Sequence, residues 1–462
     1  MSSIFISAAH KSSGKTSLSI GLTRALCDRG LTVQPYKKGP DYIDPLWLTS
    51  ASGRPCYNLD FHTQSPREIE QLYARHMVDR ELGLIEGNLG LFDGMDLEGS
   101  NSNAALAALL DVPVVLVINT KGMTRGIAPL LLGYQAFDPN IRITGVILNQ
   151  VRGSRHQAKL IQVVEHYTDL KILGAVQHDP QISIDERHLG LIPSNEQQQS
   201  EQVIQTLADT VRRQIDLDGL LAIAQTAKPP VVPIQPPHRE QPYRGLTIGY
   251  PKDPSFGFYY ADDLDRMREL GAELVSFNAL ESPRLPAIDG LFIGGGFPET
   301  AMQELERNLS LREDVAGFIE RGGVVYAECG GLIYLSRSLT WGEKKCRMVG
   351  IIPADTVMHE KPQGRGYVQL RQTGHYPWLY DVACQKSDVI SAHEFHYSSL
   401  EGLDPASAKF AYEVVRGTGI DGQHDGYVYK NLLASYTHRR SVGEHGWVDA
   451  FLAQVKACKN NT

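Results

Sequence analysis

One cysteine of this chain stands between an apolar run and a glycine pair, in the segment Tyr326-Ala327-Glu328-Cys329-Gly330-Gly331-Leu332. The apolar run predicts a buried strand, and the glycines allow a tight turn into a helix. This layout is typical of a nucleophile elbow, in which the turn lifts a reactive side chain out of the sheet. A buried cysteine without chemistry is the alternative for any lone cysteine.

Two further segments could complete a site around Cys329. Gly295 and Gly296 follow the apolar run 291–293, and their backbone amides could form an oxyanion hole. His438 lies near the C-terminus and could act as a base. Elbow, glycine turn and late histidine, in this order, resemble a class I glutamine amidotransferase domain.

A second group of reactive residues lies near the N-terminus, in Ala8-Ala9-His10-Lys11-Ser12-Ser13-Gly14-Lys15-Thr16-Ser17. This is a degenerate phosphate-binding loop of Walker A type, with Ala9 in place of the first glycine. Gly14, Lys15 and Thr16 open a helix, so backbone amides and the helix dipole point at phosphate. We expect Lys15 to meet the β- and γ-phosphates of ATP and Thr16 to hold Mg²⁺.

Acidic residues follow the next two predicted strands of this half. Asp41 lies in Lys38-Gly39-Pro40-Asp41-Tyr42-Ile43-Asp44-Pro45, and Glu86 and Asp93 lie in the segment 86–94. The carboxyl ends of parallel strands are where open α/β sheets bind ligands. Because Mg²⁺ takes one or two carboxylates beside phosphate oxygens, we expect Asp41 and Glu86 as ligands. Asp93 is a second ligand or positions the substrate; solvated turn residues are the alternative for all three.

Composition restricts the class of protein. The chain has 462 residues, 42% hydrophobic and 21% charged, which predicts two or three soluble domains. It shows no apolar run of membrane length and no secretory signal. Six scattered cysteines fit a reducing compartment, so we expect a cytoplasmic protein. A net charge of −8 argues against nucleic-acid binding but is compatible with an anionic small substrate.

The order of the elements predicts an α/β protein with two mostly parallel sheets. Helical segments alternate with predicted strands over residues 1–227, and a capping box at Ser65 with Pro66 begins one helix. Residues 228–243 are dense in proline and predict a linker. Alternation resumes at about 244 and is expected to continue to 462. The first half's predicted strands are 3–8, 32–36, 82–86, 112–119, 142–148 and 171–176.

Together the two halves resemble the cobyrinic acid a,c-diamide synthase family. That family joins a P-loop, dethiobiotin-synthetase-like domain to a class I glutamine amidotransferase domain, both doubly wound. The resemblance implies Cys329 and His438 as the glutaminase pair, and Asp41, Glu86 and Asp93 as synthetase-site acids. The most specific segments are 39–45, Asn58-Leu59-Asp60, Glu86-Gly87 with Asp93-Gly94, 326–331 and His393-Glu394-Phe395-His396-Tyr397-Ser398.

The chain departs from this family at two functional positions. Lys11-Ser12 replace a usual Ser-Gly in the phosphate loop. His438 is followed by Arg439 and Arg440, whereas ordinary class I glutaminases carry a glutamate two residues after the histidine. Because no carboxylate stands at that spacing, we expect Cys329 and His438 to work as a pair alone, activated by the helix dipole and by geometry.

A third departure concerns the substrate. Residues 98–107, 122–126 and Asn88 look more like a branch that accompanies dissimilatory sulfite reductase and amidates siroheme or its precursor. The resemblance implies a,c-diamidation of acetate groups on an anionic tetrapyrrole through an acyl phosphate, with ATP and L-glutamine as co-substrates. We favour siroheme or sirohydrochlorin; cobyrinic or hydrogenobyrinic acid is the alternative. Candidate contacts to the ring carboxylates, or else surface residues, are Tyr42, Asn88, Lys121 and Arg125.

Other readings remain open at this stage. A partitioning-type nucleotide switch would explain the phosphate loop but not the elbow, and an inactive glutaminase-like scaffold would not need Cys329. Cobyric acid synthase is a further enzyme alternative. His393 and His396 suggest a metal pair less than a hydrogen-bonded structural element. Whether the chain forms a homodimer is left open by the sequence.

Overall fold

The computed structural model describes residues 2–179, 186–187, 190–196, 199–229, 240–378, 389–404, 406–442 and 446–460. The chain divides into two compact units, Met1–Gln235 and Pro236–Thr462. Most of the predicted linker lies outside the described residues, so the domain limits at 227 and 244 stay predictions. Within the described residues, no helix is long and apolar enough to cross a membrane.

The first unit is built on a seven-stranded sheet in the order β3-β2-β4-β1-β5-β6-β7, in which all paired neighbours run parallel. Its strands, with a separate hairpin of β8 and β9, are β1 (Ser2–Ala8), β2 (Val33–Lys38), β3 (Tyr57–Leu59), β4 (Leu82–Glu86), β5 (Val114–Asn119), β6 (Ile143–Val151), β7 (Lys171–Gln177), β8 (Glu186–Arg187) and β9 (Gly190–Leu191). Its helices are α1 (Lys15–Asp28), α2 (Ile43–Ser52), α3 (Pro66–His76), α4 (Asn103–Leu109), α5 (Ile127–Phe137), α6 (Ser154–Tyr167), α7 (Ser200–Gln214) and α8 (Leu217–Ala224).

The pattern of hydrophobic residues accounts for the strands of the first unit. Every strand predicted for it is present, with ends displaced by a few residues, whereas the three-residue strand β3 was not foreseen. Helix α1 buries Leu18, Leu22 and Leu26, spaced four apart, against the sheet. Each such leucine contributes about 1.5–3 kcal/mol by leaving water. The packing of α1 holds the phosphate loop at the end of β1.

The second unit contains a nine-stranded mixed sheet in the order β11-β10-β12-β13-β22-β21-β20-β17-β18 and a four-stranded sheet in the order β15-β14-β16-β19. Its strands are β10 (Thr247–Pro251), β11 (Glu273–Phe277), β12 (Gly290–Ile293), β13 (Val324–Glu328), β14 (Ser336–Trp341), β15 (Lys344–Arg347), β16 (Ile352–Met358), β17 (Gly364–Gln372), β18 (Val389–His396), β19 (Ser398–Glu401), β20 (Phe410–Arg416), β21 (His424–Tyr429) and β22 (Leu432–Ser435). Its helices are α9 (Ala261–Glu269), α10 (Met302–Arg307), α11 (Leu309–Glu320), α12 (Gly330–Leu335) and α13 (Trp447–Asn460), with a 3-10 turn at Pro298–Ala301.

Strand–helix alternation does not continue to the end of the chain, as the sequence had suggested. Strands β10 to β13 and β22 pair in parallel, whereas β17, β18, β20, β21 and β22 form antiparallel pairs. No helix separates β14 from β22 within the described residues. Antiparallel strands need only short connections, so this region adds sheet without crossover helices.

Helix α3 begins with the predicted capping box. Ser65 Oγ accepts from the Glu68 N–H at 3.3 Å, and the Glu68 carboxylate accepts from the Ser65 N–H at 2.7 Å. Pro66 occupies the first turn, where no amide donor is needed. The sequence therefore predicts both the start of this helix and the contacts that stabilise it.

We expect Ser65→Ala to lower the stability of α3 by about 1 kcal/mol, because the first turn loses its side-chain acceptor. Amides of residues 67–76 should then exchange with deuterium about fivefold faster, measured by mass spectrometry. Ser154→Ala is the matched control, since Ser154 also opens a helix but makes no side-chain cap bond. If the amides of α3 exchange no faster in Ser65→Ala than in Ser154→Ala, the prediction is contradicted.

Candidate active sites

The phosphate loop is held from several sides. Asn149 Nδ2 donates to the Ser13 carbonyl at 2.8 Å, and Tyr134 Oη donates to the Ala9 carbonyl at 2.5 Å. Gly14 adopts φ 87°, and a Cβ there would lie 2.2 Å from Asn149 Nδ2. A larger residue would displace this support, so the glycine is required for the loop as built.

Thr16 is part of a partly buried cluster at the carboxyl ends of β2 and β4. Its hydroxyl donates to Glu86 Oε1 at 2.6 Å and lies 3.2 Å from Asp44 Oδ2. Glu86 is fully buried. The predicted association of Thr16 with Glu86 is therefore present in the geometry, and Asp44 joins it.

Lys37 is the cation of this cluster. Its Nζ contacts Asp44 Oδ2 at 2.5 Å and Glu86 Oε1 at 3.1 Å, and it lies 3.7 Å from Asp41 Oδ2. Burial alone would lower the pKa of Lys37, but Asp44 and the other carboxylates outweigh it and raise that pKa far above its usual range. Lys37 thus stays charged and balances the buried acids.

The acids differ in their electrostatics. Burial, with the Asp44 carboxylate next in importance, raises the pKa of Asp41 to about 7. Burial would also raise the pKa of Asp44, but Lys37 outweighs it and holds that pKa below its ordinary value. For Lys15, burial and then Lys37 lower the pKa of the ammonium. A further cation or anion entering this site would shift all of these equilibria together.

Asp41 and Asp93 lie at the same edge but have backbone partners. Asp41 Oδ1 accepts from the Ile43 and Asp44 N–H groups at 2.9 and 3.2 Å and so supports the start of α2. Asp93 Oδ2 accepts from the Gly90 N–H at 2.9 Å. Of the predicted acids, only Glu86 contacts Thr16 directly.

One buried oxygen of this cluster is available to a metal ion. Glu86 Oε2 has no hydrogen-bond partner in the part of the chain that the structure describes. No group of three or more His, Cys, Asp or Glu side chains in the same part is arranged as a protein-only metal site. Mg²⁺ needs fewer protein ligands when it also binds nucleotide phosphates, so Thr16 and Glu86 fit this ion.

The residues proposed for substrate binding fall in three environments. Tyr42 is buried at the start of α2. The Asn88 side chain lies against Gly39, and its buried Oδ1 has no hydrogen-bond partner among the residues that the structure describes. Arg125 and Lys121 are exposed, and Arg125 donates to Tyr167 Oη at 2.9 Å. The structure therefore brings Asn88 to the edge that carries the acids, and leaves Arg125 on the surface.

In the segment 98–107, which suggested a siroheme-type substrate, side chains form hydrogen bonds within the protein. Asn103 is fully buried, accepts from the Asn88 N–H at 3.1 Å and donates to the Gly90 carbonyl at 2.8 Å. Ser102 caps α4 through the Ala105 N–H. These side chains shape the loop after β4.

Cys329 occupies a strained turn between β13 and α12. Its backbone has φ 47° and ψ −100°, and its N–H donates to the Ser435 carbonyl at 2.7 Å. Such a conformation costs about 1–3 kcal/mol and persists only where the surroundings impose it. A Cβ on Gly331 would lie 2.3 Å from the Ile293 carbonyl oxygen, so only glycine permits the close approach of α12 to β12. The predicted elbow geometry is present.

The glycine turn after β12 lies against this elbow. A Cβ on Gly330 would lie 2.9 Å from the Gly296 nitrogen, so the two backbones are in contact. The Gly295 N–H donates to the Phe258 carbonyl at 3.3 Å. Of the two proposed oxyanion donors, Gly296 is the better placed, because the Gly295 amide already has an acceptor.

His438 is buried beside Cys329 and Glu328. Its Nδ1 lies 3.3 Å from Glu328 Oε2. Burial alone would lower the pKa of His438, but hydrogen bonds with Cys329 and Glu328 outweigh it and raise that pKa to about 10. The sequence spacing indicated no carboxylate beside His438, but the structure places one there, from Glu328 before the cysteine.

His438 is also fixed through its backbone and its ring face. It exchanges backbone hydrogen bonds with His393 at 2.8 and 3.2 Å, and the two rings stack with centroids 4.9 Å apart. Asp425 accepts from the Tyr436 and Thr437 N–H groups, both at 3.0 Å, just before His438. His396 lies apart from this pair, with Nδ1 2.8 Å from the Ser398 carbonyl oxygen.

Sequence reasoning missed Lys37, Asp44 and Glu328 as site residues. Asp44 stands in the same short segment as Asp41, and its spacing of three residues could have indicated a shared helix start. Lys37 and Glu328 stand next to residues that were singled out, but their partners are distant in sequence. Only the pairing of β2 with β4, and of β13 with β22, brings those partners together.

Comparisons with known proteins agree with this division of sites. The family model of the CobQ/CobB/MinD/ParA nucleotide binding domain matches residues 4–192. The family model of the CobB/CobQ-like glutamine amidotransferase domain matches residues 247–443. The phosphate loop thus falls in the first match, and Cys329 and His438 fall in the second.

Curated relatives match over nearly the whole chain. A cobyrinate a,c-diamide synthase of Magnetococcus marinus is 44% identical, over 98% of this chain and 96% of the relative. Proteins of the same name from Archaeoglobus fulgidus and Methanosarcina acetivorans are 39% and 37% identical, over 94% and 95% of this chain and 93% and 92% of the relatives. The chain belongs to the cobyrinate a,c-diamide synthase family of glutamine-dependent amidating ligases.

Proposed function

We propose that this protein converts two acetate side chains of cobyrinic acid to amides, using ATP and L-glutamine. The observation that carries the proposal is the near full-length similarity to relatives named for this reaction, in a chain that keeps both candidate sites. The siroheme preference inferred from short segments has less support, since Asn103 and Ser102 serve the loop itself.

The synthetase site activates the carboxylate. A carboxylate does not accept ammonia unaided, because its oxygen is too poor a leaving group, whereas an acyl phosphate does. Phosphoryl transfer depends on positioning and on neutralising charge. Lys15 lies at the phosphate loop and Lys37 among the acids, so both can offset charge on ATP and substrate.

Mg²⁺ belongs to this proposal through Thr16 and Glu86. When bound, the ion would neutralise charge on the ATP phosphates. Glu86 Oε2, which has no hydrogen-bond partner among the described residues, supports the assignment. Asp44 would orient the Thr16 hydroxyl, and Asp41 would hold the start of α2 beside it.

The glutaminase site supplies ammonia. Cys329 attacks the side-chain amide carbon of glutamine, His438 carries the thiol proton to the leaving nitrogen, and the Gly296 amide faces the oxyanion. Water then cleaves the thioester and releases glutamate. The raised pKa of His438 means that its imidazolium persists across neutral pH, where it can donate to the leaving group.

The identity of the ring substrate is tested by incubating the protein with ATP, glutamine and one ring at a time. The rings are cobyrinic acid, sirohydrochlorin and siroheme, and the products are measured by mass spectrometry. We expect cobyrinic acid to gain two amides in succession. A site built on specific polar contacts rejects the wrong ring by orders of magnitude, about 10⁴-fold where buried donors lose their partners. Conversion of the siroheme-type rings with cobyrinic acid inert would overturn the cobyrinate assignment and leave the amidation chemistry intact.

Cys329→Ser should abolish glutamine-dependent amidation but keep ammonia-dependent amidation, because the thiolate acts only in releasing ammonia. Amide product is measured with glutamine and with ammonium chloride at alkaline pH. Cys458→Ser, in α13, is the control and should retain both activities. If ammonium does not rescue the Cys329 variant, the proposed division between the two sites is wrong.

Glu86→Gln, Asp44→Asn and Lys15→Ala should stop amidation from either nitrogen source. Each variant loses a group that balances charge in the transition state of phosphoryl transfer, and we expect this loss to lower the rate of amidation by about a hundredfold or more. Glutamine hydrolysis by Cys329 should remain detectable. Exposed Glu165 in α6 supplies the control Glu165→Gln. Near wild-type turnover and Mg²⁺ dependence in Glu86→Gln would remove Glu86 from the site.

A further inference from the structure

We propose that Glu328 is the positioning residue of the glutaminase site, so that the site works as Cys329–His438–Glu328. This inference rests on the proposed glutaminase activity. Glu328 Oε2 lies 3.3 Å from His438 Nδ1, and the two side chains are only 2% and 3% exposed. A buried carboxylate beside a buried imidazole is the arrangement that orients a catalytic histidine in hydrolytic triads.

The contact determines which nitrogen faces the nucleophile. Because Glu328 engages Nδ1, the imidazole is left with Nε2 for its hydrogen bond with the Cys329 thiol. A carboxylate can only accept, so it holds the proton on Nδ1 and leaves Nε2 to take the thiol proton. The ring therefore has both the orientation and the tautomer that a general base requires.

Glu328 is itself fixed by two other donors. Its Oε1 accepts from Tyr326 Oη at 2.6 Å and from the Arg439 N–H at 2.9 Å. The Arg439 amide follows His438 directly, so the carboxylate holds both the ring and the backbone of the same segment. These contacts leave Oε2 for the imidazole.

The sheet explains why this carboxylate can replace one after the histidine. Glu328 is the last residue of β13 and pairs with Ser435 at the end of β22. The segment that follows Ser435 carries His438, so parallel pairing brings carboxylate and imidazole to one edge. The next residue in the chain is Cys329, which forms the strained turn between β13 and α12.

The residues after His438 are engaged elsewhere and do not supply this function. Arg439 donates to Tyr412 Oη at 2.7 Å, and Arg440 pairs with Asp262 at 2.8 Å. Neither side chain can accept a proton from Nδ1, because a guanidinium has no acceptor. Glu328 of β13 thus takes the place of the carboxylate that is absent after His438.

The chemical step remains balanced with Glu328 ionised throughout. The Cys329 proton first passes to His438 Nε2, which forms the imidazolium, and the thiolate sulfur then bonds to the amide carbon of glutamine. The carbon–nitrogen bond then breaks, and the proton passes from Nε2 to the leaving ammonia. Water hydrolyses the thioester to glutamate and restores the thiol. Glu328 stabilises the imidazolium formed in between, and exchanges no proton.

Other groups also act on this pair and must be considered in a pH profile. The titratable and charged groups that face His438 or Glu328 are Cys329, Tyr326, His393, Arg439, Tyr259 and Asp263. All of them remain in a Glu328 variant. A change that follows Glu328 substitution can therefore be assigned to its carboxylate.

The test is Glu328→Gln in the full-length protein. Its side-chain amide can keep the Tyr326 and Arg439 contacts but presents an N–H to Nδ1 and so disfavours the working tautomer. We expect kcat for glutamine hydrolysis to fall by about 10²- to 10⁴-fold with KM for glutamine little changed. Ammonia-dependent amidation should stay near wild type, which also reports that the variant is folded.

The pH dependence of Cys329 alkylation by iodoacetamide is a second measurement. It should not change if Glu328 has only a structural role. Glu328 helps raise the pKa of His438, so its loss should lower that pKa and weaken the imidazolium that supports the thiolate. The pH of half-maximal alkylation should therefore rise in Glu328→Gln. Glu413→Gln, at an exposed pair with Arg371, is the control and should leave this pH unchanged.

Glu328→Asp provides the second variant, because it keeps a carboxylate but retracts it by one methylene. We expect a glutaminase kcat between those of the wild type and Glu328→Gln. An aspartate variant no better than the glutamine variant, or a Glu328→Gln enzyme with wild-type kcat and alkylation profile, overturns the positioning role. A wild-type protein that amidates with ammonia but never hydrolyses glutamine would instead overturn the proposed function, and the inference with it.

Discussion

Parallel strands end at the same edge of a sheet, and both candidate sites depend on this constraint. In the first unit, β2 and β4 pair so that Lys37 lies opposite Glu86. In the second, β13 and β22 pair so that Glu328 lies opposite Ser435, just before the segment with His438. Residues separated by dozens of positions along the chain therefore meet where the strands stop and the loops begin.

The edge of the first sheet that carries Lys37 and Glu86 also requires a balance of buried charge. Three carboxylates surround the Lys37 ammonium, which is itself only 3% exposed. Isolated buried charges of one sign would be too costly, and a buried cation stabilises them only at short range. Such an arrangement is compatible with the proposed binding of ATP phosphates together with a counter-ion.

The turn at Cys329 shows how a strained backbone conformation is maintained. Cys329 takes a positive φ that few non-glycine residues adopt, and glycines on neighbouring segments leave room for it. Stacking on His393 immobilises the histidine segment, as do hydrogen bonds that its backbone N–H groups donate to Asp425 and Glu328. Cys329 and His438 are thus both held rigidly, as the proposed proton transfer between them over one hydrogen bond requires.

The sequence alone predicted the α/β class, the strands of the first sheet, the phosphate loop, the elbow at Cys329 and the pairing of two chemistries in one chain. These features are local, because periodicity, glycine turns and capping residues act within a few positions. It did not predict the antiparallel strands after β14, the short β3, or Lys37, Asp44 and Glu328 as site residues. Those depend on which strands become neighbours, and strand pairing is set by packing between distant segments that no single stretch of sequence contains.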